Sequence, residues 1–501
     1  MKMIRKTVQF SCLFFLLQGF LWSASAKDFL VKDFGAKADG ITLNTAAIQK
    51  AIDFAHQQGG GRVVFTPGNF LTGSIYLKSN VTLHLEAGAT LLGSTNPWDY
   101  VKDKYIGWTS MIFAVKQTNI GISGEGTING RGFETANHMV EYIHRGFVND
   151  PLKLDRPNET NRPQNVYFRE CTNVKVEGIT LRDPASWNQT YDQCKNLLVD
   201  GVTVDSKSYW NNDGIDVVDC EDVIVRNCYI DAADDVFCFK SHSAAHQCKN
   251  VLLENCVGRS SANGVKFGTV SRGAFKNFKI RNITIFDTYR SAITFAAVDG
   301  AEIDNIEVDG LRSIHTGNVI FLRIGDRWGK GKRPSMKNIV IKNVYAEIPM
   351  DKPDAGYNYE GPIEDLPRNI SPASIVGLPD FPIENVTMQN IEIVTPGGGN
   401  PLYAYRGTTP ADLDSIPEMR TTYPEFSQFK ELPAWGFYIR HAKGITFDNV
   451  TFKALKKDYR PAIVSDDVKG LNLQDVKFIE PGSDSKKKQV ITYKSEQVVI
   501  E

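Results

Sequence analysis

Three carboxylates stand close together in this 501-residue sequence. Asp213 lies in Asn211-Asn212-Asp213-Gly214-Ile215-Asp216, and the pair Asp234-Asp235 begins 21 positions later. Carboxyls of unequal acidity are equipped to split a sugar linkage: one stays protonated and feeds the leaving oxygen, while another activates water. Crowding by like charge raises the pKa of the carboxyl that must keep its proton. Tyr209, Trp210 and Asn211 flank the first acid, and exposed aromatic faces beside carboxylates suit stacking on pyranose C–H groups. Lone acids at turns carry no such message, so Asp219 and Asp231 read as solvating or backbone-bonding groups.

These acids sit inside a repeat. CTNVKVEGITL begins at Cys171, CKNLLVDGVTV at Cys194, CEDVIVRNCYI at Cys220 and CKNVLLENCVG at Cys248. FKNFKIRNITI at Phe275, VDGAEIDNIEV at Val298 and MKNIVIKNVYA at Met336 continue the series, with weaker copies from Ile383, Ala442 and Val468. SNVTLHL and TNIGISG, earlier in the chain, resemble the same unit. The copies from Cys171 to Phe275 are spaced by 23, 26, 28 and 27 residues. Apolar and polar residues alternate at strand period, with Asn or Gly at a corner and no helical pattern between copies. Such units predict an all-β fold, a right-handed parallel β-helix whose Val and Ile residues stack from coil to coil. Asp213 and Asp234-Asp235 then fall on neighbouring rungs of one wall. With strands about 4.8 Å apart, carboxyls one or two rungs apart reach the roughly 6.5–9.5 Å of an inverting glycosidase.

Other segments fit a capped solenoid. TAAIQKAIDFAHQQGGG after Asn44 puts Ile48, Ala51, Ile52 and Ala55 on one helical face and predicts an N-terminal capping helix stopped at Gly59. Cys171, Cys194, Cys220 and Cys248 share one repeat position that passes to Phe275, Val298 and Met336, which predicts a buried ladder rather than disulfides or a metal site. Insertions at 131–163, 325–335, 348–380 and 398–436 predict long rim loops around a groove. The first 26 residues read as a secretory signal peptide, with Lys2, Arg5 and Lys6 before an apolar run and Ala24-Ser25-Ala26 as the cleavage site. The expected product is an exported protein, periplasmic or extracellular, with residues 27–501 forming one catalytic domain. A formal net charge of −1 gives no support to a nucleic-acid role. No later segment predicts a membrane span, and a monomer is expected.

The chain resembles glycoside hydrolase family 28, the polygalacturonase family. NTAAIQKAIDFAHQQGGGRVVFTPGNFLTGSIYLKSNVTLHLEAGATLLGS and RPQNVYFRECTNVKVEGITLRDPASWN carry the likeness, and it extends over most of the chain after the leader. The family's Asn-Thr-Asp motif stands here as Asn211-Asn212-Asp213, and its Asp-Asp motif as Asp234-Asp235, followed by Phe239-Lys240-Ser241. The resemblance implies inverting hydrolysis of a pectic, acidic plant-type poly- or oligosaccharide, with Asp234 as the general acid and Asp213 and Asp235 activating water. No metal or other cofactor is called for. Two departures mark the subsite. The family's Gly-His-Gly motif corresponds to Ala262-Asn263-Gly264, placing an amide that cannot titrate where a histidine supports the acid. Its Arg-Ile-Lys motif corresponds to Ile293-Thr294-Phe295, without either cation.

Replacement cations lie nearby. If Val265 and Phe267 point inward, alternation turns Lys266 outward. Lys240 and Arg290 then occupy adjoining rungs of that wall, with His242 beyond. Lys266 and Arg290 are the expected uronate-binding pair, and exo-action or a branched or rhamnogalacturonan-type substrate is expected over random cleavage of plain galacturonan. Two competing readings share the fold: a β-helix polysaccharide lyase, and a carbohydrate-binding β-helix without activity.

Overall fold

The computed structural model describes residues 27–150, 156–329, 331–358, 371–402, 405, 407–482 and 486–501. The signal-peptide reading lies outside them. The described chain winds as a right-handed parallel β-helix with three sheets. Sheet A climbs through Ser110–Val115, Gln164–Arg169, Gln189–Asp192, Ile215–Val218, Phe237–Lys240 and Val265–Phe267. Sheet B climbs through Val81–Leu85, Thr118–Gly124, Thr172–Glu177, Lys195–Asp200 and Glu221–Arg226. Sheet C climbs through Ala89–Gly93, Thr127–Asn129, Thr180–Arg182, Thr203–Ser206 and Tyr229–Ala232. Later corners bend gently enough that Ala274–Ala297 serves all three sheets as one continuous strand.

Alternation turns one residue in two inward, and the repeat stacks like on like. Val174, Leu197, Val223 and Val251 follow one another through the core, all nearly inaccessible. At the corner before sheet B the backbone must turn left-handed, which asparagine tolerates better than most residues. Asn119, Asn173 and Asn196 adopt φ of 54°, 56° and 54° there. Each donates its amide to the asparagine one coil earlier, at 2.9, 2.9 and 3.0 Å, starting from Asn80. The x-Asn-Val signature is therefore a hydrogen-bonded ladder along the solenoid edge.

The cysteine ladder forms as expected at Cys171, Cys194, Cys220 and Cys248, all buried and free. It passes to Phe275, then Ile303, then Met336. Val298 does not take the rung. A turn at Asp299-Gly300, with Gly300 at φ 97°, delays the next strand to Glu302, so the repeat restarts five residues later than its sequence suggests.

Helix α1 spans Thr45–Gln57 and buries Ile48, Ala51, Ile52 and Ala55 against the first coil. Asn44 does not cap it through its side chain; the amide instead clasps the backbone of Lys37 and Thr42. Insertion 131–163 is no simple loop: α2, Gly132–His144, fills its first half and buries Thr135, Ala136, Met139 and Ile143. A turn of helix, α3 (Pro410–Asp414), opens the part of insertion 398–436 that folds back over sheet A. Insertion 348–380 ends earlier than expected, because Ala373–Val376 is already a sheet A strand. No described helix is long and apolar enough to cross a membrane.

Candidate active site

Asp213 and Asp234-Asp235 lie at the corner where the chain enters sheet A, one coil apart. Asp234 N–H donates to the Asn212 carbonyl at 3.1 Å, and Gly214 N–H to the Asp235 carbonyl at 2.9 Å. The corner is held by Asn212, whose buried amide receives the Tyr209 N–H at 2.7 Å and donates to the carbonyls of Pro184 and Ser186. Ser206 adds a hydroxyl bond to the Asp213 carbonyl at 3.1 Å. Asp216 follows at strand period, so it faces outward in a column with Thr190, Cys238, Lys266 and Thr294.

One oxygen from each of Asp213, Asp234 and Asp235 lies within 4.8 Å of the others. That is closer than the separation expected from the sequence. The cause is direct hydrogen bonding of adjacent rungs, which sets the carboxyl spacing by one strand separation rather than two. Three such oxygens could grip a cation, but Lys266 Nζ already sits 2.7 Å from Asp235 Oδ2 and supplies positive charge there.

The carboxyls are driven apart in acidity. Burial alone would raise Asp235, but Lys266, Lys240 and the Asn263 amide outweigh it and hold the carboxyl below the ordinary range. Burial and the charge of Asp235 push Asp234 up, against Lys266, Arg290 and Lys240. Burial, then Asp216 and Asp234, push Asp213 well up, and its Oδ1 has no hydrogen-bond partner. Burial also raises Asp216 to about 7, despite Lys240 at 3.4 Å. Asp234 keeps partial solvent access, Asp213 and Asp235 keep a sliver of it at 3% and 2%, and Asp216 is closed off. The arrangement therefore holds one ionised carboxylate beside a raised carboxyl that a ligand can reach.

The remaining expected site residues divide sharply. Val265 and Phe267 point into the core, as alternation requires, and Lys266 points out. Lys266 is nonetheless 2% exposed and committed to Asp235 and to the Tyr423 hydroxyl at 2.9 Å. Arg290 is buried against Glu425 Oε1 at 2.9 Å. Neither cation stands open to a uronate. Asn263 reaches a different carboxyl from the one its position implied. Its amide donates to Asp235 Oδ1 at 2.7 Å rather than to Asp234, and its oxygen receives the Thr294 hydroxyl at 2.9 Å.

Lys240 borders the same carboxyls, 2.9 Å from Cys238 Sγ and 4.7 Å from the Trp187 ring centroid. His242 lies beyond, its pKa lowered to about 4 by burial and by Lys240, Arg272 and Arg169.

Tyr209 and Asn211 are engaged by the protein itself. Tyr209 is buried against Ala136 and Ala185 under Arg162. The Asn211 oxygen is taken by Arg156 and Arg162 at 2.9 and 2.8 Å. Helix α2, unforeseen in the sequence, supplies Ala136 and closes that side. Trp210 is half-buried, with Arg156 over its ring. The aromatic rings near the carboxyls are instead Trp187, packed on Trp108 with centroids 4.6 Å apart, and Tyr423. Asp216 was legible from strand period alone. Tyr423 and Glu425 were not, because a long insertion carries them.

Comparison with known proteins agrees with this geometry. Residues 62–292, which contain the corner carboxylates, match the family "Glycosyl hydrolases family 28". An exo-poly-alpha-D-galacturonosidase of Dickeya chrysanthemi is 25% identical over 480 residues, covering 86% of this chain and 72% of that protein. The family 28 exopolygalacturonase of Yersinia enterocolitica superposes with a TM-score of 0.61 at 22% identity, over 95% of this chain and 79% of that one. A hyperthermoactive exopolygalacturonase from Thermotoga maritima gives 0.60 at 20% identity, over 85% and 91%. Residues 62–292, around the carboxylates, are thus a glycosyl hydrolases family 28 region, and the chain that carries it is a polygalacturonase-like glycoside hydrolase with the fold of the exopolygalacturonases along its coil.

Proposed function

We propose that this enzyme hydrolyses a glycosidic bond in a pectic poly- or oligosaccharide of galacturonan or rhamnogalacturonan type, with Asp234 as the general acid. The observation that carries this reading is the opposed acidity of carboxyls one rung apart: Asp235 is held ionised and Asp234 is held up. Asp234 also has the access that a leaving-group oxygen needs. Asp235, as the ionised member, takes the proton of the attacking water, and Asp213 supplies the second arm that orients it. Two hydrogen bonds of about 2.8 Å from one water span ~4.5 Å, which suits oxygens within 4.8 Å of each other.

Attack by water from this pair, opposite the acid, inverts the anomeric centre. The family resemblance supports inversion. Exo-action is supported by the names of the Dickeya, Yersinia and Thermotoga relatives and by insertion 398–436, which folds onto sheet A. Residues 27–501 form the exported catalytic unit in this reading.

The test is digestion of defined galacturonan and rhamnogalacturonan oligosaccharides, with the anomer of the first-formed product followed by NMR. An inverted product from one of them is expected. Asp234→Asn is expected to lower kcat by ~10²–10⁴ with an unchanged far-UV spectrum. Wild-type turnover in that variant would remove Asp234 from the acid role.

A further inference from the structure

Three cations gather around Tyr423, and each already carries a protein carboxylate. Lys266 Nζ is 2.7 Å from Asp235 Oδ2. Arg290 Nε is 2.9 Å from Glu425 Oε1, with both side chains buried. Arg327 forks onto Asp299 through Nε and Nη2 at 3.0 and 2.9 Å. Tyr423 binds the group together. Its hydroxyl accepts from Lys266, and its ring centroid lies 5.3, 5.9 and 5.6 Å from the charged ends of Lys266, Arg290 and Arg327. Tyr423 is still 39% exposed. Tyr423 and Glu425 are two residues apart on one strap, beyond α3 in insertion 398–436.

Consider a uronate placed here, beside Asp234. Its carboxylate would compete with Glu425 for Arg290 and with Asp235 for Lys266. It would also lie beside Asp235, the carboxylate held ionised, where like charge and a dry surrounding penalise a further anion. A neutral ring meets neither penalty. Its C–H face can lie against the exposed part of Tyr423, and its hydroxyls can exchange hydrogen bonds with paired charges without displacing them.

We propose that Tyr423 and Glu425 determine specificity, making the sugar position beside Asp234 select a neutral ring. In this arrangement the Glu425 carboxylate occupies the place on Arg290 that a uronate carboxylate would need. The inference rests on the glycosidase reading above and narrows its substrate to a chain in which a neutral sugar adjoins the cleaved bond.

The experiment uses an α-linked trigalacturonide and three versions of it, each with one unit carboxyl-reduced to the neutral sugar. For the wild type, one singly reduced trisaccharide is expected to exceed the unreduced one by at least about tenfold in kcat/KM, the scale of one charge-assisted hydrogen bond. Glu425→Gln removes the negative charge that faces Arg290 and is expected to shift that ratio about tenfold toward the unreduced substrate. The ratio is the readout because partial misfolding lowers both substrates alike. Tyr423→Ala, which removes the ring from the surface, is expected to lower kcat/KM on the preferred neutral substrate more than on the unreduced one.

Preference of the wild type for the unreduced substrate, or a ratio unmoved by Glu425→Gln, would overturn the inference and leave the glycosidase reading standing. Cleavage of none of the four, nor of rhamnogalacturonan oligosaccharides, would remove both.

Discussion

Lys266 holds Asp235 ionised, although burial alone would protonate it. Removing that charge therefore has a predictable sign. In Lys266→Met the Asp235 carboxyl moves up, and the acidic limb of the kcat/KM–pH profile is expected to move to higher pH. The alkaline limb, where Asp234 loses its proton, loses a cation that opposes its raised pKa and is expected to move up as well. A profile displaced downward on the acidic side would contradict the pairing. Asp213 has the opposite character. Its folded-state pKa lies above the unfolded value of about 3.9, so its contribution to stability is complete below that value and is lost as pH rises through the folded one. Asp213→Asn removes a carboxyl whose ionisation the site resists. Its Tm is expected to exceed the wild-type Tm by roughly 1–3 °C at pH 8 and to match it near pH 4, while activity falls. Differential scanning calorimetry at the two pH values reads both outcomes.

At the scale of the element, the corner before sheet A is built by Asn212 rather than by the acids it presents. Its side chain bonds Ser208, Tyr209, Pro184 and Ser186 and is wholly buried. Asn212→Ala takes from the Ser186 carbonyl the bond it receives here, a loss of about 1–3 kcal/mol where it stays dry, leaves the Pro184 carbonyl only its bond from Ser208, and frees Asp213 to drift. A shift near 1 Å in a catalytic group costs on the order of 10²-fold. We expect kcat to fall by about that factor, with a lower Tm. A variant that lost stability but kept kcat would show that the corner holds its shape without this amide. Gly214 serves the same corner, since an added Cβ would meet Ile230 Cγ2 at 2.4 Å and the Val236 carbonyl at 2.6 Å.

The whole molecule is a column of like residues, and its cysteines belong to that column. All seven in the described chain are buried and free, and burial raises the thiols at Cys194 and Cys248. Burial shields all seven from reagents, Cys228 included, whose thiol is shifted down by its hydrogen bond with Cys256. We expect a thiol reagent such as DTNB to label none of the seven in the native protein starting at Lys27, and all seven in guanidinium. A reducing agent is expected to leave Tm unchanged. Rapid native labelling, or a reductant-sensitive Tm, would argue for a strained or bridged pair instead of a packed ladder.

The coil was legible because its information is local and repeated. Period-2 alternation states which side chains enter the core, and Asn at a fixed offset states where the backbone turns left-handed; each rung says the same thing again. Asp213, Asp234 and Asp235 could be placed on one wall for that reason, as could the outward direction of Lys266. The repeat failed where the chain departs from it. The Asp299-Gly300 turn displaced Val298 from the ladder, and α2 in insertion 131–163 buried Tyr209 on the side where an open ring was expected. Tertiary structure alone decided the pairing of charges. Glu425 lies 135 positions from Arg290 and Tyr423 lies 157 from Lys266, distances that no local pattern spans. Sequence by itself determined the column and the wall that carries the acids. Only the folded strap decided which cations remain open to a substrate, because a buried charge takes whatever partner the fold brings within about 3 Å.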